Sequence, residues 1–238
     1  MLTTNRKKYP NANTSTFSEA NLKCLMDHMQ ELKVPAGSHL FWEGEAADKL
    51  YFVQSGSVRI TKSSDEGKEL ILYMYQPGDL LGQIHLFQTS THGFSGKVVE
   101  DTVVGFMNQK DLEVLIEQNN ELSVEFMKWM SLNHRITETK LRDLIMYGKP
   151  GALCSTLIRL SNTFGKPDGD YVEIAKKLTH TELSNMIGAT RESVNRLLND
   201  LRKQDIIDYS NDYILIKNME RLKEFCKCEN CPIEICRI

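Results

Sequence analysis

From Leu32 to about Phe106 the apolar positions come in short runs. They are Leu50-Tyr51-Phe52-Val53, Val58-Arg59-Ile60, Leu70-Ile71-Leu72-Tyr73-Met74, Lys97-Val98-Val99 and Val103-Val104-Gly105-Phe106. Breaks fall at Gly37, Gly44, Ser55-Gly56, Glu66-Gly67 and Pro77-Gly78. Many short strands separated by turn residues predict an antiparallel, roll- or barrel-like domain. Ser55-Gly56 and Glu66-Gly67 are the expected hairpin turns, because glycine tolerates positive φ. The period then changes. A long helix is expected from about Asn120 to Tyr147, with Gly148-Lys149-Pro150 as its stop. Leu122, Phe126, Trp129 and Ile136 fall on the a and d positions of one heptad register, which also carries Asn133, Lys140 and Asp143. A seam that turns polar towards its C-terminal end predicts pairing with a twin helix; packing against the chain's own sheet is the alternative. A second amphipathic helix carries Leu153, Leu157, Leu160 and Phe164 and ends near Gly165, and Lys166 to Tyr171 reads as a polar loop.

Further on, Thr179-His180-Thr181-Glu182 has capping-box spacing. The helix it opens buries Leu183, Met186 and Ile187 and closes at Gly188. Thr190 caps the next helix, Arg191 to about Lys203, which buries Val194, Leu197, Leu198 and Leu201 and turns Arg191, Glu192, Asn195 and Arg196 outward. Two stretches, Ile206 to Tyr209 and Tyr213 to Ile216, flank Ser210-Asn211-Asp212 as a hairpin. Helix, glycine turn, helix and hairpin make a winged helix-turn-helix. Its exposed arginines and glutamate suit guanine and cytosine edges in a major groove, and Ser193 suits phosphate. The plain alternative is a charged helix face with Glu192 and Arg196 paired at i,i+4.

Composition narrows the class. The 238 residues, 41% apolar and 26% charged, suit two ordinary domains. The net charge of −3 gives no global attraction to nucleic acid. Between Lys176 and Lys203, however, six basic residues face three acidic ones, a local patch suited to phosphate. Residues 1–17 are polar and lack the apolar segment of a signal peptide, so a mobile arm and a cytoplasmic location are expected, with no membrane partner. Cys24 and Cys154 stand alone, Cys154 reading as a small buried hydrophobe, while Cys226, Cys228, Cys231 and Cys236 crowd the end of the chain. In a reducing compartment that clustering indicates a metal site, for zinc or an iron–sulfur cluster, rather than disulfides. The six histidines are scattered, and His85 and His92 read as exposed loop residues. By its own chemistry Asp143 reads as a solvated aspartate near a helix end.

The motif Arg191-Glu192-Ser193-Val194-Asn195-Arg196 resembles the recognition helix of the CRP/FNR family, and the resemblance extends over the strands and the long helix. It implies a DNA-binding regulator, not an enzyme, that acts as a homodimer on a palindromic TGTGA-type site in double-stranded DNA. Arg191, Glu192 and Arg196 would read bases, and RNA polymerase would be a further partner. The nucleotide-binding pattern of the family is altered: Gly82-Gln83-Ile84 lacks the carboxylate, and Phe94 precedes Ser95 where an arginine would bind cyclic phosphate, which argues against a cyclic nucleotide. The run from Cys228 through Cys231 to Cys236 is similar to the C-terminal motif of the FNR proteins of Bacillus. That resemblance implies a [4Fe–4S] cluster on Cys228, Cys231 and Cys236, with Asp143 in the long helix as fourth ligand and Cys226 as its rival.

The resulting expectation is an α+β chain: a mobile arm (1–20), an antiparallel β-roll (21–118), a dimerisation helix (119–149), a winged helix-turn-helix (150–217) and a Cys-rich tail (218–238). Its function would be oxygen-responsive transcription control. The rivals are a related regulator with a structural zinc tail and an unknown small effector, and a redox enzyme or electron carrier. Against the last stands the absence of any flavin or nucleotide fingerprint in the sequence.

Overall fold

A computed structural model describes residues 12–238. The described residues divide into two compact units, one of residues 12–64 and 72–133, the other of residues 65–71 and 134–238. The first 11 residues of the expected arm lie outside the described residues. The remainder of that arm is folded: a 3-10 turn, Asn13–Thr16, leads into helix α1, Glu19–Asp27. Asn13 bonds Leu80 from both ends of its amide, Thr14 donates to the Gly78 carbonyl at 2.8 Å, and Phe17 is buried. A short polar stretch can thus be ordered by a few buried hydrogen bonds and one aromatic anchor, which composition does not reveal.

In the first unit six strands among the described residues form one sheet: β1 (Gln30–Val34), β2 (His39–Phe41), β3 (Lys49–Ser63), β4 (Glu69–Tyr75), β5 (Leu80–Leu81) and β6 (Ser95–Asn108). The central order is β1-β6-β3-β4, with β1 and β3 antiparallel to β6. Ser55-Gly56 is not a hairpin turn. It lies inside the continuous β3, where the register with β6 slips between Val53 and Val58. Gly56 takes φ +83 and a Cβ there would meet Thr102 Oγ1 at 2.2 Å, so its glycine serves a bulge. Glu66-Gly67 does separate β3 from β4. His92 is buried and stacks on Phe41 at 3.8 Å, in contrast to its expected exposure, whereas His85 is exposed.

Helix α2, Gln109–Gln118, precedes α3, Asn120–Phe164, which is broken at Gly148 (φ 58, ψ −165), the position expected as the stop. The expected seam does not face outward. Leu122, Phe126 and Trp129 are buried in a cluster with Phe17, Leu25, Leu50, Phe52 and Leu112. The exposed apolar residues of α3 instead include Met127, Met130, Leu141, Leu144 and Ile145, with Met127 and Ile145 60% and 69% exposed. Met127, Met130, Leu141 and Leu144 share a heptad register of their own, one step round the helix from the expected one.

In the second unit the 166–171 segment is a hairpin, not a loop: β7 (Gly165–Asp168) pairs with β8 (Tyr171–Ile174). Pro167 sits in β7, at the edge of the sheet β7-β8-β10-β9, where a missing N–H is tolerated. Helices α4 (His180–Ile187) and α5 (Arg191–Lys203) are followed by β9 (Ile207–Ser210), β10 (Tyr213–Ile216) and α6 (Met219–Phe225). Among the described residues no helix is long and apolar enough to cross a membrane.

Candidate functional site

Two features of the second unit carry chemistry: the face of α5 and the cysteine tail. The α4–α5 corner is built from local signals. Thr179 accepts from the Glu182 amide at 3.1 Å while the Glu182 carboxylate accepts from the Thr179 amide at 2.8 Å, a complete capping box. Gly188 ends α4 in the left-handed region, φ 60 and ψ 37, where a side chain would be disfavoured. The Thr190 side chain then accepts from the Ser193 amide at 3.2 Å and starts α5. Val194, Leu198 and Leu201 are buried, and Arg191, Glu192, Asn195 and Arg196 are exposed, as the helical period requires. Glu192 and Arg196 form no ion pair among the described residues. The Ser193 hydroxyl lies 3.1 Å from that of Thr190 at the helix N-terminus, a place suited to an anion.

The β9–β10 hairpin turns through Asn211 (φ 49) and Asp212 (φ 69), two left-handed residues that match a tight hairpin turn. Lys177 bridges to Asp212 at 3.0 Å and lies over the Tyr213 ring, and Arg202 bonds Asp208 at 3.1 Å. These pairs tie the wing to its base. They leave Arg191 and Arg196 as cations whose donors are available to a ligand.

The tail begins at α6, capped by the Asn218 side chain. Lys227 and Asn230 take left-handed conformations (φ 47 and 52), so the backbone curls around Cys228, whose Sγ accepts from the Asn230 amide at 3.4 Å. Cys228, Cys231 and Cys236 are half-buried free thiols. Cys226 differs: it is 3% exposed, its thiol faces the Leu222 and Lys223 carbonyls, and burial pushes its pKa up to about 12. Burial likewise raises the Cys236 thiol, with the nearby Arg159 cation opposing. Cys154 is buried and raised to about 12 for the same reason, in keeping with a small core residue.

Asp143 is not solvated. It is 2% exposed, and both carboxylate oxygens are engaged. Oδ1 accepts from Arg142 Nε and Nη2 at 3.1 and 2.7 Å; Oδ2 accepts from Arg159 Nη2 at 2.9 Å and from the Ser155 hydroxyl. The same arginines reach the tail, Arg142 pairing with Glu229 and Arg159 donating to the Ile235 carbonyl at 3.1 Å. Asn162 donates to the Cys236 carbonyl at 2.7 Å, and Thr163 Oγ1 accepts from the Ile238 amide at 3.2 Å. The arginines were missed in the sequence. Their one signal there is a cation, Arg159, set between Ile158 and Leu160 on a helical segment that is otherwise uncharged from Gly151 to Phe164.

Among the described residues no three His, Cys, Asp or Glu side chains are gathered closely enough to hold a metal ion as they stand. The donor set nevertheless fits a thiolate-bound metal group. Three half-buried thiols lie within ten residues, on a tail bonded to the two arginines that hold the buried Asp143 carboxylate, and Arg142 and Arg159 would offset the negative charge of a thiolate-ligated metal group.

Known proteins resemble the chain over most of its length. The family model for the cyclic nucleotide-binding domain matches residues 31–119, and that for the Crp-like helix-turn-helix domain matches residues 151–225. The anaerobic regulatory protein of Bacillus subtilis is 44% identical over 209 residues, 87% of each chain. The CRP-like cAMP-activated global transcriptional regulator of Mycobacterium tuberculosis is 29% identical over 84% of this chain and 90% of its own. A solved CooA variant from Carboxydothermus hydrogenoformans shares the fold with a TM-score of 0.72 at 22% identity, covering 95% of this chain and 98% of its own.

Proposed function

The chain belongs to the CRP/FNR family of DNA-binding transcription regulators, which are not enzymes, and from that membership we propose that it is an oxygen-responsive regulator, dimeric on a palindromic TGTGA-type site and controlled by a [4Fe–4S] cluster. The observation that carries this reading is the cysteine tail docked on α3: Arg142 and Arg159 tie Glu229 and the Ile235 carbonyl, neighbours of Cys228 and Cys236, to the buried Asp143. The name of the Bacillus subtilis relative, an anaerobic regulator, supports it.

Cys228, Cys231, Cys236 and Asp143 would hold the cluster. Cys226 is the poorer fourth ligand, because it is 3% exposed and its thiol is turned to the Leu222 and Lys223 carbonyls. When bound, the cluster would supply an oxygen-labile redox group at the joint between tail and helix. The protein's part is to place those ligands and to couple the tail to α3, which leads into the helix-turn-helix. Arg191, Glu192 and Arg196 read bases, and Ser193 with the α5 N-terminus contacts phosphate. RNA polymerase is the further partner that family membership suggests.

The β-roll acts in this reading as a scaffold rather than a cyclic-nucleotide sensor. Gln83 Oε1 accepts from the Gly93 amide at 2.9 Å and Ser95 Oγ accepts from the Glu43 amide at 3.0 Å, so these polar groups are bonded within the domain. Phe94 is partly buried against its core.

Anaerobic purification tests the cluster. The expected product is brown, with visible absorption and iron and sulfide in equal amounts that are lost in air. A colourless protein holding zinc would replace this reading with a structural zinc tail.

Dimerisation is assigned to the exposed register of Met127, Met130, Leu141 and Leu144. Burying a leucine contributes about 1.5–3 kcal/mol, and a twofold interface counts it twice. Leu141→Glu should therefore weaken association by about two to four orders of magnitude, which sedimentation across a concentration series will read. An unchanged dimer would place the interface elsewhere.

A further inference from the structure

Arg159 is a cation at 3% exposure, and an unpaired buried charge is strongly disfavoured. Every nitrogen of its fork is engaged: Nε donates to Ser155 Oγ at 3.2 Å, Nη1 to the Ile235 carbonyl at 3.1 Å and Nη2 to Asp143 Oδ2 at 2.9 Å. Arg142 takes the other oxygen of the same carboxylate and turns its Nη1 to Glu229. The two tail contacts lie just inside the outer cysteines, since Glu229 follows Cys228 and Ile235 precedes Cys236. One carboxylate is thus tied, through two forked cations, to both ends of the cysteine loop. A planar guanidinium can bond in three directions at once; a lysine ammonium on a flexible stem cannot reproduce that fork.

Resting on the reading that Cys228, Cys231, Cys236 and Asp143 are the ligand set, we infer that Arg142 and Arg159 are positioning residues that hold the cysteine loop against Asp143 before any metal group binds. The ligands are then gathered by the protein, and the metal group enters a loop already docked. The same two cations stand ready to offset the charge of the thiolates. In this arrangement loss of the metal group leaves the tail latched, ready to be loaded again.

The test is hydrogen exchange on the full chain, reduced and metal-free, resolved by mass spectrometry. The Cys236 amide, bonded to the Pro232 carbonyl at 2.9 Å, and the Ile238 amide, bonded to Thr163, report the docked tail. Arg159→Met keeps the bulk and removes the fork. It should speed exchange over residues 226–238 at least tenfold while α4 and α5 keep their protection, and Arg159→Lys should not restore the tail. Arg142→Gln, at a part-exposed position that should fold readily, should speed exchange around Glu229 several-fold. Asp143→Asn combined with Arg159→Met should add no further exchange at Cys236 and Ile238, where both act through the Arg159 contact, but should speed exchange around Glu229, because the carboxylate also anchors Arg142. Unchanged tail exchange in both arginine variants, or protection lost evenly through α4 and α5, overturns the inference. Iron and sulfide uptake by the same preparations separates the two claims. A parent that takes up neither, with a tail still sensitive to Arg159, would sink the cluster and leave the latch. A parent that loads normally, with variants loading at the same rate and with unchanged tails, would sink the latch alone.

Discussion

Arg191→Ala and Arg196→Ala should each reduce binding to a palindromic TGTGA-type duplex by roughly 30-fold to 10⁴-fold, with far less effect on a scrambled duplex. A bidentate arginine–guanine contact is worth about 1–3 kcal/mol of discrimination, and a dimer makes it twice, so about 2–6 kcal/mol is at stake. That corresponds to a loss of roughly 30-fold to 10⁴-fold. The geometry favours a base-reading role. Both arginines are exposed on α5, and neither is held in an ion pair among the described residues, whereas Lys177 and Arg202 are bound to Asp212 and Asp208. Glu192→Ala should behave differently, relaxing the preference for cytosine at one position with a smaller loss of affinity. Binding measured across a salt series on both duplexes checks this. If an arginine variant lowered both affinities equally and flattened the salt dependence by about one counterion, that arginine would be a phosphate contact.

The α4–α5 corner was legible because its signals are local. Thr179 and Glu182, Gly188, Thr190 and the Asn211-Asp212 turn each act within a few residues of themselves, and each takes in the structure the conformation its chemistry requires. What was illegible depends on partners distant in sequence. Helix α3 has two apolar stripes, and periodicity gives the spacing of each but not what covers it. The stripe with the aromatic residues went into the domain's own core, leaving Met127, Met130, Leu141 and Leu144 exposed. Gly56 signalled positive φ correctly but not its context, since a bulge and a turn make the same demand on the backbone. The four tail cysteines were visible by their crowding. The network behind them was not: Asp143, Ser155 and Arg159 come together only when the helix broken at Gly148 brings its two segments side by side.

Asp143→Ala should abolish oxygen-responsive DNA binding, yet alone it would be an ambiguous variant. Removing the carboxylate leaves the buried Arg159 without its anion, and breaking a buried pair from one side costs about 3–5 kcal/mol. A loss of function could then come from an unstable tail rather than a missing ligand. Removing both partners separates the two causes, because replacing a buried pair by apolar groups is often close to neutral. Asp143→Ala with Arg159→Met should recover most of the thermal stability lost by Asp143→Ala. It should still fail to retain iron and sulfide after anaerobic loading, whereas Arg159→Met alone should load slowly and retain them. Cys226→Ala should load and respond normally, since its thiol is buried against the Leu222 and Lys223 carbonyls. If the double variant held a normal complement of iron and sulfide while Cys226→Ala lost it, the fourth ligand would be Cys226. Asp143 would then serve only to anchor the two arginines, and the carboxylate's place in the sensor would be mechanical rather than chemical.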